Sequence, residues 1–247
     1  MLFRSILNDI RTAYTASGSG PTVLLLHAWG ADSSSLEPLR RGLAPYARAV
    51  SLDLPGAGES DPPPFAFGLE EYADFLEVFM AETCGPKSLI IGHGLGGRLA
   101  LVLASRGKAG RLLLTGVSPG PRVYPPAAKA GGRKPGPLYL DGAFPDSRPE
   151  RHYAAVGGLE KEILAKTGAP DLLPLLPKIA AETLLIWGEQ DQAAPAAQAW
   201  QLQEALANSG LVLLENCGHA PFAEAPSRFL AIARYFLCHS GPGGIPA

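Results

Sequence analysis

The residues best suited to chemistry in this 247-residue chain fall into five short stretches. They read Leu25-Leu26-His27-Ala28-Trp29-Gly30, Asp53-Leu54-Pro55-Gly56-Ala57-Gly58-Glu59-Ser60, Ile91-Gly92-His93-Gly94-Leu95-Gly96-Gly97, Trp187-Gly188-Glu189-Gln190-Asp191 and Cys217-Gly218-His219-Ala220-Pro221-Phe222. Three of the five histidines lie in them, and imidazole exchanges a proton near neutral pH without help from its surroundings. Asp191 taken alone reads equally as a loop carboxylate capping a helix near Pro195. Gly92, Gly94 and Gly97 spell GxGxxG, the turn whose backbone amides cradle a dinucleotide. That fingerprint also needs an acidic residue about 20 positions onward, at the end of the next strand. No Asp or Glu occurs between Glu82 and Asp141, and several strands precede the turn, so nicotinamide and flavin are set aside. Cys84, Cys217 and Cys238 cannot all pair and show neither CxxC nor zinc spacing. No cofactor and no metal are expected.

Such residues act only if a scaffold brings them together. Apolar runs of strand length recur at residues 23–26, 49–52, 88–91, 112–117, 183–187 and 211–214. Strands apolar on both faces belong to a mostly parallel sheet covered by helices on each side. Residues 2–7 and 10–14 flank Asn8-Asp9 and read as a hairpin with a tight turn. Helical spacing marks residues 69–82, where Leu69, Tyr72, Phe75, Leu76 and Phe79 share one stripe. Residues 95–106 are almost wholly apolar, hence a buried helix, and later helices are predicted over 196–207 and 227–238. The chemical stretches follow strands, at the edge where open α/β sheets bind ligands.

One segment breaks the rhythm. Residues 119–149 hold eight prolines and five glycines, too many for regular structure, before a possible helix over 152–166. An irregular stretch this long inside a domain reads as a lid over a site, here spanning 119–176 of a single domain covering 1–247. With 47% apolar residues the chain can bury a full core. Its 21 basic and 23 acidic side chains argue against nucleic acid or an anionic membrane as the main partner. No run approaches the roughly 18 apolar residues of a membrane span. A reduced, cytoplasmic setting is expected, with the chain a monomer or homodimer.

In order, spacing and neighbours the five stretches resemble the α/β-hydrolase superfamily, over about residues 6–237. The phrases HAWG, LDLPGAGES and CGHAPF are most similar to small carboxylesterases, including the methyl esterases that act on pimeloyl-acyl-carrier protein. The resemblance implies an α/β-hydrolase fold with a short lid insertion. It implies His219 as the base, Asp191 as the acid that orients it, and Glu189 as a weaker stand-in for that acid. It further implies backbone amides of Leu95 and of Ala28 or Trp29 as donors to a developing oxyanion. His93 and His27 are expected to shape the two turns rather than move protons, and His152 and His239 have no motif around them.

The departure from the pattern is at the nucleophile. The family turn is GxSxG, and here Gly94 stands where its serine would be. Glycine has no atom to attack a carbonyl, so the acyl-enzyme route cannot run from this position. Cys217 and Ser118 are the other candidate nucleophiles and rank far behind. Three accounts of Gly94 remain: an introduced Ser→Gly exchange, a natural loss of activity, or chemistry that needs no serine. The preferred reading is a small-molecule hydrolase of ester- or amide-like carbonyl compounds by descent. The alternatives are a non-catalytic ligand-binding or interaction protein, and a lyase or cyclase on the same fold. The expected partner is a small-molecule substrate. Six basic residues between Pro119 and His152 (Arg122, Lys129, Arg133, Lys134, Arg148, Arg151) against three acids add an acidic carrier protein as a weaker candidate.

Overall fold

A computed structural model describes residues 2–85, 87–121 and 157–239. The predicted hairpin pairs β1 (Leu2–Leu7) with β2 (Ile10–Ser17), with Leu7 opposite Ile10. Asn8 and Asp9 take φ of 47° and 63°, the left-handed pair that a two-residue turn needs to match strand twist. β2 runs antiparallel to β4 (Arg48–Leu52). The remaining strands pair in parallel: β3 (Thr22–Leu26), β5 (Leu89–His93), β6 (Arg111–Thr115), β7 (Glu182–Gly188) and β8 (Ser209–Leu214). Across the sheet the order is β1-β2-β4-β3-β5-β6-β7-β8. The order reverses at β3, which lies between β4 and β5. Open α/β sheets bind ligands at such a reversal, here the carboxyl ends of β3 and β5.

Alternation along the strands divides the core into two layers. Leu24, Leu26, Val50, Leu52, Ile90, Leu112, Leu114, Leu185 and Trp187 face one side. Val23, Leu25, Ala49, Leu89, Ile91, Leu113, Leu184 and Ile186 face the other. The first layer takes α2 (Leu69–Thr83), α3 (Leu95–Ser105), α4 (Gly158–Gly168) and α5 (Ala196–Ala205). The second takes α1 (Glu37–Leu43), the short α6 (Pro221–Glu224) and α7 (Pro226–Cys238). All but one of the α3 side chains from Leu95 to Ser105 are buried, as an apolar helix packed on a sheet requires.

Several details differ from the expectation. β6 stops at Thr115 rather than residue 117, because Gly116 turns the chain with φ 61°. A 3-10 turn (Ser33–Leu36) and α1 lie where no helix was read. The helix expected over 152–166 appears as α4, and residues 152–156 lie outside the described residues. So does 122–156 of the expected lid, with His152 and all six basic residues named above. The described remainder packs on the first core layer through Ile163, Leu172, Leu176 and Ile179.

Candidate active site

Gly94 joins β5 to α3 with φ 53° and ψ −113°. A side-chain-bearing residue would hold this turn at a cost on the order of 1–3 kcal/mol, which glycine avoids. The neighbouring glycines answer to packing. A Cβ on Gly92 would lie 2.6 Å from the Gly96 carbonyl oxygen, one on Gly96 2.2 Å from that of Leu26, and one on Gly97 2.1 Å from Val117 Cγ2. Of the GxGxxG glycines, Gly92 therefore reports the approach of β5 to α3, Gly97 that of α3 to Val117, and Gly94 the positive φ of the turn.

The Gly96 amide donates to the His27 carbonyl over 3.1 Å, tying the start of α3 to the loop after β3. Ala28 and Trp29 follow His27, and Leu95 precedes Gly96, so the three flank this contact in the chain. The His27 ring pins the loop. Its Nδ1–H donates to the Ala28 carbonyl at 2.8 Å, and its Nε2 accepts the Leu54 amide at 3.1 Å. Burial holds its pKa below the ordinary 6.5, against the Ala28 carbonyl and the charges of Asp53 and Asp32, which pull upward. A neutral ring with both nitrogens engaged moves no protons. Asp53 locks the facing loop by accepting the amides of Ser33 at 2.7 Å and Glu59 at 2.9 Å.

The acid and the imidazole arrive from the ends of β7 and β8. His219 Nδ1 lies 2.8 Å from Asp191 Oδ2, and the proton is assigned to Nδ1 because the carboxylate can only accept. Asp191 is buried, and its Oδ1 takes the amides of Ala193 and Ala194 at 2.9 and 2.8 Å. Asp191 does not cap α5, whose N-cap is Pro195 without a side-chain bond; one carboxylate oxygen holds the loop before the helix and the other meets His219. Glu189 is exposed, and Asp191 is the carboxylate that meets His219. The two loops are joined by the Gln190 amide on the Cys217 carbonyl at 2.8 Å. Gly188 permits this approach, since a Cβ there would lie 2.0 Å from the Gly218 carbonyl oxygen.

Gly116 sets the distance between the histidine and the turn. A Cβ on it would sit 2.7 Å from His219 Cε1 and 3.0 Å from His93 Cδ2. His93 and His219 occupy the space it leaves, with ring centroids 4.7 Å apart, and Phe222 closes on His93 edge-on at 5.1 Å. His219 therefore lies against the residue that precedes Gly94. Neither relocated nucleophile has the right setting. Cys217 is buried, and burial, with the Glu224 carboxylate adding to it, pushes its thiol pKa up against the pull of Arg228. Ser118 is buried beside Arg98, which takes its carbonyl.

The sequence reading missed two side chains. Arg98 of α3 is buried, and its guanidinium donates to the carbonyls of Ser118, Gly120, Thr167 and Pro170. One side chain thus holds the chain leaving β6 against the chain leaving α4. Glu224 of α6 accepts the amides of Gly218 and Ala220, which flank His219. The only sequence signal for Arg98 is a charge inside an apolar helix, and Glu224 has none. Among the described residues no group of three or more metal-ligating side chains occurs, and no helix is long and apolar enough to cross a membrane.

Residues 23–232 match the model of the alpha/beta hydrolase family. The chain belongs to that family. The pimeloyl-[acyl-carrier protein] methyl ester esterase of Nitrosospira multiformis is 30% identical over 252 residues, covering 87% of this chain and 93% of that protein. A bacterial membrane phospholipase A, described as a virulence factor, superposes with a TM-score of 0.78 at 27% identity, over 96% of this chain and 86% of that one. The enol-lactonase of Burkholderia xenovorans shares the fold at 22% identity and a TM-score of 0.78, over 96% and 100% of the two chains. In this α/β-hydrolase the sheet order, the turn at Gly94 and the loops after β7 and β8 are all present, and no serine stands at the turn.

Proposed function

We propose that this α/β-hydrolase hydrolyses small ester- or amide-like carbonyl compounds by direct attack of water. The 2.8 Å contact between His219 and buried Asp191, beside the Gly94 turn, carries the reading. With Nδ1–H bound to the carboxylate, Nε2 is the nitrogen that accepts a proton from water. The water oxygen bonds to the carbonyl carbon as the π pair moves onto the carbonyl oxygen. The amides of Leu95 and of Ala28 or Trp29 receive that oxyanion. Collapse expels the alcohol or amine, which takes the proton back from the imidazolium while Asp191 holds the ring. No covalent enzyme intermediate forms. The esterase and phospholipase among the relatives support a carbonyl substrate.

The test is turnover of an activated short-chain ester by the chain as it stands and by His219→Ala. Slow hydrolysis without an initial burst is expected, falling to the uncatalysed rate in the variant. Equal rates in the two proteins contradict the proposal. Gly94 itself favours a second reading, a ligand-binding protein without turnover. Saturable binding of a carbonyl compound, with no hydrolysis across esters and amides, would select it.

A further inference from the structure

The imidazole of His219 projects from a strap, residues 217–220, that belongs to no strand or helix. Upstream the strap is held by the Cys217 carbonyl on the Gln190 amide, and downstream by the Ala220 carbonyl on the amides of Ala223 and Glu224. Between those ties the main chain at Gly218 and His219 needs its own restraint, since glycine leaves the backbone free. The side chain of Glu224 folds back to supply it. Oε2 accepts the Gly218 amide at 2.6 Å and Oε1 accepts the Ala220 amide at 3.0 Å. One carboxylate oxygen thus holds the Cys217–Gly218 peptide and the other the His219–Ala220 peptide, on either side of His219. A Cβ on Gly218 would lie 3.2 Å from both oxygens, so the strap runs tight against the carboxylate.

We infer that Glu224 is the positioning residue of this site, a two-oxygen clamp on the main chain either side of His219 that aims Nδ1 at Asp191. The inference rests on the proposed role of His219 as base. Charge-assisted bonds to amide donors are roughly twice as strong as neutral ones. Glutamine has the same length but only one acceptor, and its Nε2–H₂ would face an amide N–H. Aspartate keeps the charge but is one methylene too short to span both amides. A carboxylate that merely capped α6 would affect melting temperature alone. The clamp fixes, in addition, which ring nitrogen of His219 carries the proton.

The experiment reads that proton on chain labelled with ¹⁵N-histidine, through the ring nitrogen shifts seen from the carbon-bound ring protons. His219→Gln identifies the signals. His219 is expected as a single Nδ1–H tautomer in the unmodified chain, and as an exchanging mixture in Glu224→Gln and Glu224→Asp, with folding checked by circular dichroism. The same replacements placed on Gly94→Ser should lower kcat for an activated ester about tenfold, with little change in KM. An unchanged Nδ1–H tautomer in both Glu224 variants overturns the clamp while leaving His219 as base. A tautomeric mixture in the Gln variant but not in Asp also overturns it, because charge alone would then suffice. A mixture already present in the unmodified chain removes the His219–Asp191 reading and the clamp with it.

Discussion

His27 shows how a residue's role follows from what its ring nitrogens touch. The ring is buried, donating to Ala28 and accepting from Leu54, and burial depresses its pKa below 6.5. In the unfolded chain the same ring protonates near its ordinary value. Below about pH 6.5 the unfolded state therefore binds a proton that the folded state refuses, and stability falls as pH drops. The loss is at most about 1.4 kcal/mol for each pH unit, and it ends where the folded ring finally protonates. Above pH 6.5 the contribution is fully present. Urea unfolding at pH 7.5 and 5.5 should show a larger loss in the unmodified chain than in His27→Gln. Parallel losses in the two proteins would contradict this assignment. His219 differs because one of its nitrogens meets a carboxylate, and Asp191 differs from Glu189 by being buried at that contact. The sequence could rank these residues only through their place in the family pattern.

At the level of elements, alternation and turn chemistry were legible, and elements stabilised by a single long-range polar contact were not. The Asn8-Asp9 turn formed where it was expected, and the parallel strands formed close to where the apolar pattern placed them. The polar run Ser33-Ser34-Ser35 hid α1 and its preceding turn, because Asp32 caps it through a side chain that looks like loop chemistry. The end of β6 was overrun because Val117 continues the apolar run, whereas the left-handed Gly116 stops the ladder. Arg98 was read as part of a buried apolar helix, yet it joins α3 to both stems of the segment between β6 and β7. Arg98→Met would leave several buried carbonyls without that donor. The variant should lose about 2–4 kcal/mol, each unsatisfied group costing roughly 1–3 kcal/mol. Hydrogen exchange should rise in residues 158–178 well before the β3, β5 and β6 amides. A uniform change across the sheet would contradict the clamp assigned to Arg98.

Over the whole molecule, strand order explains why distant residues meet. The reversal at β3 brings the loops carrying Ala28 and Leu95 together, while β7 and β8 deliver Asp191 and His219 to the same edge. Parallel strands covered on both faces leave their carboxyl ends as the natural place for chemistry. We propose that this edge carries the acid, the base and the oxyanion amides of a hydrolase site and lacks the nucleophile. Gly94→Ser tests it, because a seryl hydroxyl at that turn would add a nucleophile beside the His219–Asp191 pair. Restoring one triad member should recover much of the several orders of magnitude its loss typically costs. Stopped-flow hydrolysis of an activated short-chain ester by Gly94→Ser should show a burst of one product per chain. Its rate should be at least ~100-fold above that of the unmodified protein, with both effects absent from Gly94→Ser/His219→Ala. A folded Gly94→Ser protein with neither burst nor gain would contradict the account.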